Sequence, residues 1–331
     1  VTRIDRLREN LFILGYLVLL GVAIYIVGRH KQNRIGNNFL LSYSKYFPLL
    51  IQFLLAGLLS VYTIFYFRST SLSVGGIYLL LLVGLLLLNE VLYDRLMNLK
   101  LLVTLYFFVW FSFCVFFVPI LLGTMGTWVF VLASLISLLP VATLVYFIYR
   151  RHLRENLKNI LLHTGSTLLL LGAVLFFYAL NLVPPVPLAL ESGGIYHEVR
   201  KDGNQYRLKY VEPSWSDTLS LFENRVSWKD GQRIYCYTSI FAPVALEETV
   251  RHQWQRYVDR EKKWVTTDDL SYRIRGGRAG GFRGYTYKSY VVPGRWRVNV
   301  LTGNGRVLGR ITFTVERLGE DASLEFRTIT R

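Results

Sequence analysis

Cysteine is nearly absent: two residues in 331, Cys114 in an apolar run and Cys236 in a stretch of alternating residues. That excludes a disulfide framework, so any domain around Cys236 must be held by its own core. Histidine is scarce too, with five residues; His197 and His252 stand far apart and no His/Cys/Asp spacing supports a metal site. The chain lacks a Gly-x-Ser-x-Gly elbow, a Cys-His pairing and a Walker loop. Its adjacent carboxylates, Glu247-Glu248 and Asp268-Asp269, would point to opposite faces of a strand, so neither pair forms a glycosidase-type dyad. These absences argue against catalysis and against a cofactor. An enzyme would need a cleft that joins His252 to a carboxylate. Acidic residues are in deficit, 22 against 38 Lys+Arg, which leaves a net charge of +16.

That charge is unevenly placed. Positions 1–190 hold 14 basic and 5 acidic residues, whereas 191–331 hold 24 and 17. The first part is therefore mostly apolar and the second has the composition of a soluble domain. The change falls near Pro184-Pro185-Val186-Pro187, where a helix cannot easily continue. The expected organisation is a polytopic helix bundle over 1–183, a Pro/Gly linker over 184–194 and a β domain over 195–331. At about 140 residues, the last part is long enough to bury its own core.

A helix needs about 20 largely apolar residues to cross the hydrocarbon core. Six runs qualify: Leu11–Gly28, Tyr46–Phe67, Leu72–Tyr93, Leu101–Gly123, Thr127–Tyr149 and Ile160–Leu182. Pro119 and Pro140 are expected to kink their helices. Loop charge sets orientation. One side carries Arg29, Lys31, Arg34, Lys45, Arg95, Lys100, Arg150, Arg151, Arg154 and Lys158; the other carries Arg3, Arg6, Arg8 and Arg68. The richer side is expected in the cytoplasm, with both termini and the β domain outside it. Arg3, Arg6 and Arg8 resemble the start of a signal peptide, but the run after them is long and lacks a small-x-small site, so the first helix is expected to be retained. The predicted location is the bacterial inner (cytoplasmic) membrane, multi-pass, with the β domain periplasmic.

Polar residues inside the spans need partners. Gln52, Asn89, Glu90 and His163 fall near the same end of their helices and are expected to meet as one hydrogen-bonded cluster. It serves either as an interhelical clamp or as a proton or ion path. Ala56 and Ser60, beside Gly57, give a small face for close helix packing.

After the Pro-rich exit the period becomes two. Strands are expected at Ile195–Lys201, Gln205–Val211, Arg233–Phe241, Thr249–Asp259, Leu270–Arg275, Gly284–Val291, Arg295–Thr302 and Val307–Glu316. Turn signals separate them, among them Asp230-Gly231, Pro293-Gly294 and Gly303-Asn304-Gly305. Trp296, Val298 and Val300 share one strand face, with Arg295, Arg297 and Asn299 on the other; Ile311, Phe313 and Val315 repeat the pattern. The fold class expected is an α-helical transmembrane bundle of about six helices followed by an all-β, sandwich-like extracytoplasmic domain, with a barrel as the alternative.

The motifs Tyr235-Cys-Tyr-Thr-Ser-Ile-Phe-Ala-Pro-Val-Ala-Leu, Val250-Arg-His-Gln-Trp254, Gly281-Phe-Arg-Gly-Tyr-Thr-Tyr-Lys288, Pro293-Gly-Arg-Trp-Arg-Val298 and Gly305-Arg-Val-Leu-Gly-Arg310 stand in that order. Over about residues 235–316 they resemble an uncharacterised bacterial family, domain of unknown function 2914. The Pro-Pro-Val-Pro exit and the helical front half look like its membrane-anchored branch. The resemblance implies a β-rich bacterial domain and brings no activity, cofactor or catalytic residue.

Two surfaces are candidates for contact. His252 and Trp254 alternate with Val250 and form either one side of a ligand shelf or a packing face. Between Arg251 and Arg317 there are 15 basic and 5 acidic residues, centred on an Arg/Gly-rich stretch from Arg273 to Lys288. Such a loop offers backbone N–H groups and guanidinium forks to an anion. In the cytoplasm it would suit RNA; outside, an anionic glycan or lipid headgroup fits better, and no nucleic-acid partner is expected. The residues chosen for ligand or partner contact are His252, Trp254, Arg278, Arg283, Lys288 and Trp296. The expected function is a non-catalytic membrane protein. Its partners are the lipid bilayer, a membrane-protein complex or homo-oligomer, and an anionic glycan or headgroup. The alternative is a transporter or flippase with an aqueous cavity that reaches Glu90 or Gln52.

Overall fold

The computed structural model describes residues 7–31, 46–69, 72–91, 98–150, 156–180, 188–203, 205–211, 224–242, 246–275, 281–319 and 325–331. The chain divides into two compact units, Val1–Arg68 with Gly75–Pro187, and Ser69–Val74 with Leu188–Arg331.

The first unit is helical: α1 Leu7–Lys31, α2 Phe47–Ser69, α3 Leu72–Val91, α4 Leu99–Leu122, α5 Thr127–Ile136, α6 Leu138–Tyr149 and α7 Leu157–Ala179. Among the described residues, five segments are long and apolar enough to cross a membrane: Arg8–His30, Phe47–Phe67, Leu99–Leu122, Thr127–Tyr149 and Leu157–Ala179. The expected third span is a helix, α3, with a shorter apolar segment described at Leu79–Leu88.

The unit is organised on α4, whose apolar window is 72% buried, against 22–44% for the other four spans. Its first turn is capped by the Asn98 side chain, which accepts from the Lys100 N–H at 3.0 Å, and its last turn ends on Gly123 at φ 65°. Phe116 of α4 meets Tyr66 of α2 edge-on, Phe111 meets Phe130 of α5, and Thr104 Oγ1 lies 3.0 Å from Ser166 Oγ of α7. Tyr16 of α1 packs on the bare backbone of Gly57, where an added Cβ would lie 3.3 Å from its ring, while Ser60 is exposed. The fifth span is interrupted at Ser137, between α5 and α6, but Ser137 keeps helical dihedrals and its N–H still donates to the Ala133 carbonyl at 3.1 Å. Pro140 has no N–H to donate back to the Ile136 carbonyl, and the Ser137 hydroxyl donates to the Ser134 carbonyl at 2.6 Å.

The second unit is β-rich. Its strands are β1 Ala189–Tyr196, β2 Glu198–Asp202, β3 Gln205–Val211, β4 Asn224–Trp228, β5 Ile234–Phe241, β6 Glu247–Val258, β7 Lys263–Arg275, β8 Phe282–Lys288, β9 Gly294–Thr302, β10 Val307–Arg317 and β11 Phe326–Thr330. They form three sheets, ordered β1-β5-β8, β4-β10-β9-β6-β7 and β11-β3-β2. Neighbours pair antiparallel except β4 and β10, which run parallel.

Period two decides which side chains are covered. On the five-stranded sheet Val250, His252, Trp254, Trp296, Val298, Val300, Phe313 and Val315 are buried. They share a face with the side chains that meet the three-stranded sheet of β5, where Ile234, Cys236, Thr238 and Ile240 are also buried. His252 bridges the two sheets, with Nε2 3.0 Å from Thr238 Oγ1 and Nδ1 2.9 Å from Thr286 Oγ1. Trp254 Nε1 donates to the same Thr286 hydroxyl at 3.1 Å, and Tyr272 Oη lies 2.6 Å from Thr238 Oγ1. The opposite face of β5 carries Tyr235 and Tyr237, packed with Tyr206 of the third sheet.

Gly284 shows how tightly β8 sits: an added Cβ would lie 2.5 Å from Tyr272 Cε2. Gly284→Val is therefore expected to overpack this contact and destabilise the β unit by about 1–3 kcal/mol. Urea unfolding of the detergent-solubilised chain, followed by near-ultraviolet circular dichroism, measures it; an unchanged midpoint contradicts the packing described.

Candidate functional site

Strand parity sends a second set of side chains outward from the five-stranded sheet. Gln253 of β6 pairs in register with Asn299 of β9, which in turn pairs with Arg310 of β10. One step along, Gln255 pairs with Arg297, and Arg297 with Thr312. Tyr257 pairs with Trp264 of β7.

Trp264 reaches this face because β7 carries a bulge. Register passes from Trp254–Asp268 to Gln255–Thr266, so Thr267 has no partner residue, and its hydroxyl donates to the Trp254 carbonyl at 3.2 Å. One extra residue reverses the alternation. Trp264 and Thr266 thus join Asp269 and Ser271 on the same side.

The face is a continuous polar ladder. Arg310 Nε donates to Asn299 Oδ1 at 2.8 Å, and Asn299 Nδ2 donates to Gln253 Oε1 at 3.1 Å and Gln255 Oε1 at 3.0 Å. Arg297 Nε donates to Gln255 Oε1 at 2.7 Å, while Gln255 Nε2 reaches Gln253 Oε1 and Thr266 Oγ1 at 3.0 Å each. The Arg297 guanidinium lies 4.3 Å from the Trp264 ring centroid, and that of Arg295 lies 3.9 Å from Tyr257.

Charge compensation differs along the ladder. Arg251 is paired with Asp269, Arg295 with Asp259 at 3.1 Å, and Arg225 with Glu316 at 3.5 Å. Arg297 and Arg310 have no carboxylate partner among the described residues. Partial burial, and then the charge of Arg310, lower the Arg297 pKa to about 10. Two guanidiniums are thus held together by neutral amides, with their positive charge unanswered. A guanidinium fork is suited to hold a carboxylate or phosphate by bidentate hydrogen bonds.

The contact residues expected from sequence are placed differently. His252, Trp254 and Trp296 are 0%, 1% and 2% exposed, so the shelf reading is corrected: these side chains form the packing face between sheets. The hydrogen-bond partners of His252 are hydroxyls of Thr238, Thr286 and Tyr272, with no carboxylate among the described residues. Lys288 is nearly covered and paired with Asp268, and its ammonium lies 5.6 Å from the Trp296 ring. Arg283 is half-buried, and its carbonyl accepts from Tyr206 Oη at 3.2 Å. Arg278 lies outside the described residues. In the helical unit His163 is buried with Nε2 2.9 Å from Tyr149 Oη, an α6–α7 clamp. Gln52 is half-buried, and the side chains of Asn89 and Glu90 lie outside the described residues.

The site residues missed from sequence are Gln253, Gln255, Tyr257, Trp264, Arg297, Asn299 and Arg310. The signal for the first two was present: they alternate with His252 and Trp254, so burying one pair exposes the other.

The chain is thus a protein with an apolar multi-helix unit and a β-rich unit that turns a polar, arginine-bearing face outward. Residues 247–315, which span β6 to most of β10, match the family described as protein of unknown function (DUF2914). That agrees with the resemblance read from the motifs. No curated protein matches the chain. Among solved structures, similarity is found to a Pseudomonas fluorescens alkylpurine DNA glycosylase AlkC bound to DNA containing an abasic site analog. Identity is 15%, covering 55% of this chain and 49% of that one, with a TM-score of 0.22. A β-glucosidase from Listeria innocua in complex with gluconolactone is similar at 12% identity, covering 35% of this chain and 17% of that one, with a TM-score of 0.20. The chain therefore spans less than half of either, and at these scores neither likeness carries an argument about fold or activity.

The buried imidazole makes stability depend on pH. Burial lowers the His252 pKa to about 3. In the unfolded chain it titrates near 6.5. Above about 6.5 both states are neutral and the stabilisation is complete; as pH falls toward 3 only the unfolded state takes the proton, and stability is lost. The limiting slope is about 1.4 kcal/mol per pH unit for one proton. His197, lowered by burial and by Lys209, acts in the same direction. Urea unfolding at pH 7.5, 6 and 4.5 is expected to show this loss, and His252→Gln to flatten it by up to one proton. An equal slope in wild type and variant contradicts the assignment.

Proposed function

We propose that the chain is a non-catalytic, membrane-anchored binding protein of the bacterial cytoplasmic membrane. In this reading the helical unit is the anchor, and the β unit is a sandwich-like domain on the periplasmic side that binds an acidic glycan of the envelope. Support for the anchor comes from the five long apolar helices and from large apolar side chains left exposed on them, such as Phe53 at 64% and Leu169 at 77%. In water such surfaces would associate; in lipid they are solvated. The ten-to-four bias of Lys and Arg between the two loop sets supports the sidedness.

The observation that carries the binding reading is the uncompensated Arg297–Arg310 pair within a ladder of Gln and Asn amides. Guanidiniums supply the charge for a uronate carboxylate, and the amides supply donors and acceptors for hydroxyls. Trp264 and Tyr257 give the flat aromatic margin that sugar-binding faces use.

The test is binding of the detergent-solubilised full chain to immobilised polygalacturonate, with neutral dextran as control. Preference for the polyanion, weakened by salt and reduced at least tenfold in Arg297→Gln/Arg310→Gln, is expected. Equal retention on both polymers, or an unaltered double variant, would remove this reading.

A further inference from the structure

A cavity of about 530 Å³ lies in the helical unit between α1, α4 and α6. Its walls include Val22 of α1, Tyr106 and Trp110 of α4, and Leu144 and Phe147 of α6, with Arg150 just past the end of α6. Two sequence features shape it. Gly21 lets the Tyr106 phenol lie on bare α1 backbone, because an added Cβ would be 2.5 Å from Tyr106 Oη. Pro140, near the start of α6, supplies part of the wall.

The cavity is polarised along its length. An added Cβ on Gly28 would touch Ile148 Cδ1 at 3.0 Å, so the ends of α1 and α6 lie together there. Arg150 therefore sits at one end. The Arg150 guanidinium lies 5.2 Å from the Phe147 ring and has no carboxylate partner among the described residues. Besides Arg150, the polar groups of the lining are the Tyr25 and Tyr106 hydroxyls, the Trp110 indole N–H and the Thr143 hydroxyl, which already donates to the Leu139 carbonyl at 2.8 Å. Val22 and Phe147 are 49% and 41% exposed, so the cavity opens sideways on the apolar surface of the unit.

We propose that this cavity is a binding site for an anionic phospholipid, with an acyl chain along Val22, Trp110 and Leu144 and the headgroup phosphate on Arg150. The site rests on the membrane reading given above. A soluble anion would leave the apolar walls uncovered, and a tail with a neutral headgroup would leave Arg150 without a counter-charge. An amphiphile with one negative phosphate answers both, as basic pockets between membrane helices do. A volume of this size lies within the range of small-ligand sites, about 300–1,000 Å³.

The experiment uses the full chain, purified in a mild non-ionic detergent and delipidated. Native mass spectrometry compares phosphatidylglycerol with phosphatidylcholine of the same acyl chains. Wild type is expected to retain phosphatidylglycerol at least tenfold better. Arg150→Gln should erase the preference while tail binding persists, and Val22→Trp, which fills the cavity, should lower both. Phosphatidylglycerol with brominated tails should quench tryptophan fluorescence, and Trp110→Phe should remove most of that quench. Equal retention of the two lipids by wild type, or a preference that survives Arg150→Gln, overturns the site even if Val22→Trp fails to fold. Release of the chain from membranes by alkaline carbonate would sink the membrane reading itself. A carbonate-resistant chain without headgroup preference sinks the lipid site alone.

Discussion

The His252 imidazole, held between Thr238 and Thr286, is the interaction on which the β unit depends. A buried polar group without partners costs about 1–3 kcal/mol, so once His252 is inside, both ring nitrogens must be answered. Two threonines on different strands of the facing sheet answer them, and Thr286 also accepts from Trp254. These directional bonds fix how the sheets meet in a way that apolar contacts alone do not. They also fix the parity of β6. With His252 and Trp254 inward, Gln253 and Gln255 have no choice but to face out.

That parity spreads across the sheet through register. Asn299 and Arg297 lie opposite Gln253 and Gln255, and Arg310 lies opposite Asn299. The outer face therefore carries a ladder of amides with two guanidiniums whose charge nothing nearby cancels. The bulge at Thr267 completes it by turning Trp264 to the same side. The arginine-bearing face and the core are two consequences of one alternation. The helical unit follows a different rule: α4 is covered on most sides, and the other spans leave apolar side chains exposed.

Much of this was legible in the sequence because it rests on period. The apolar runs became helices, and the division of Trp296, Val298 and Val300 from Arg295, Arg297 and Asn299 follows from alternation alone. Period does not say which face is covered when both carry aromatic or polar residues, which is why His252 and Trp254 were left open between a shelf and a packing face and were chosen as contact residues. The first half of β7 was invisible because the bulge at Thr267 interrupts the alternation. β1 starts at Ala189, inside the stretch read as linker, because Gly193 and Gly194 look like loop residues. Gly193 is small for a packing reason: an added Cβ would lie 2.7 Å from Ile311 Cδ1. β4 and β11 were not expected, since five-residue strands give period two little to register.

The central claim is that strand parity, set by the buried imidazole, puts the arginine ladder outside and the tryptophans of β6 and β9 inside. Hydroxyl-radical footprinting of the folded full chain, read residue by residue by mass spectrometry, tests it most directly. The account requires oxidation at Trp264 and Tyr257 with Trp254, Trp296 and His252 protected. Oxidation of Trp254 and His252 ahead of Trp264 would contradict it.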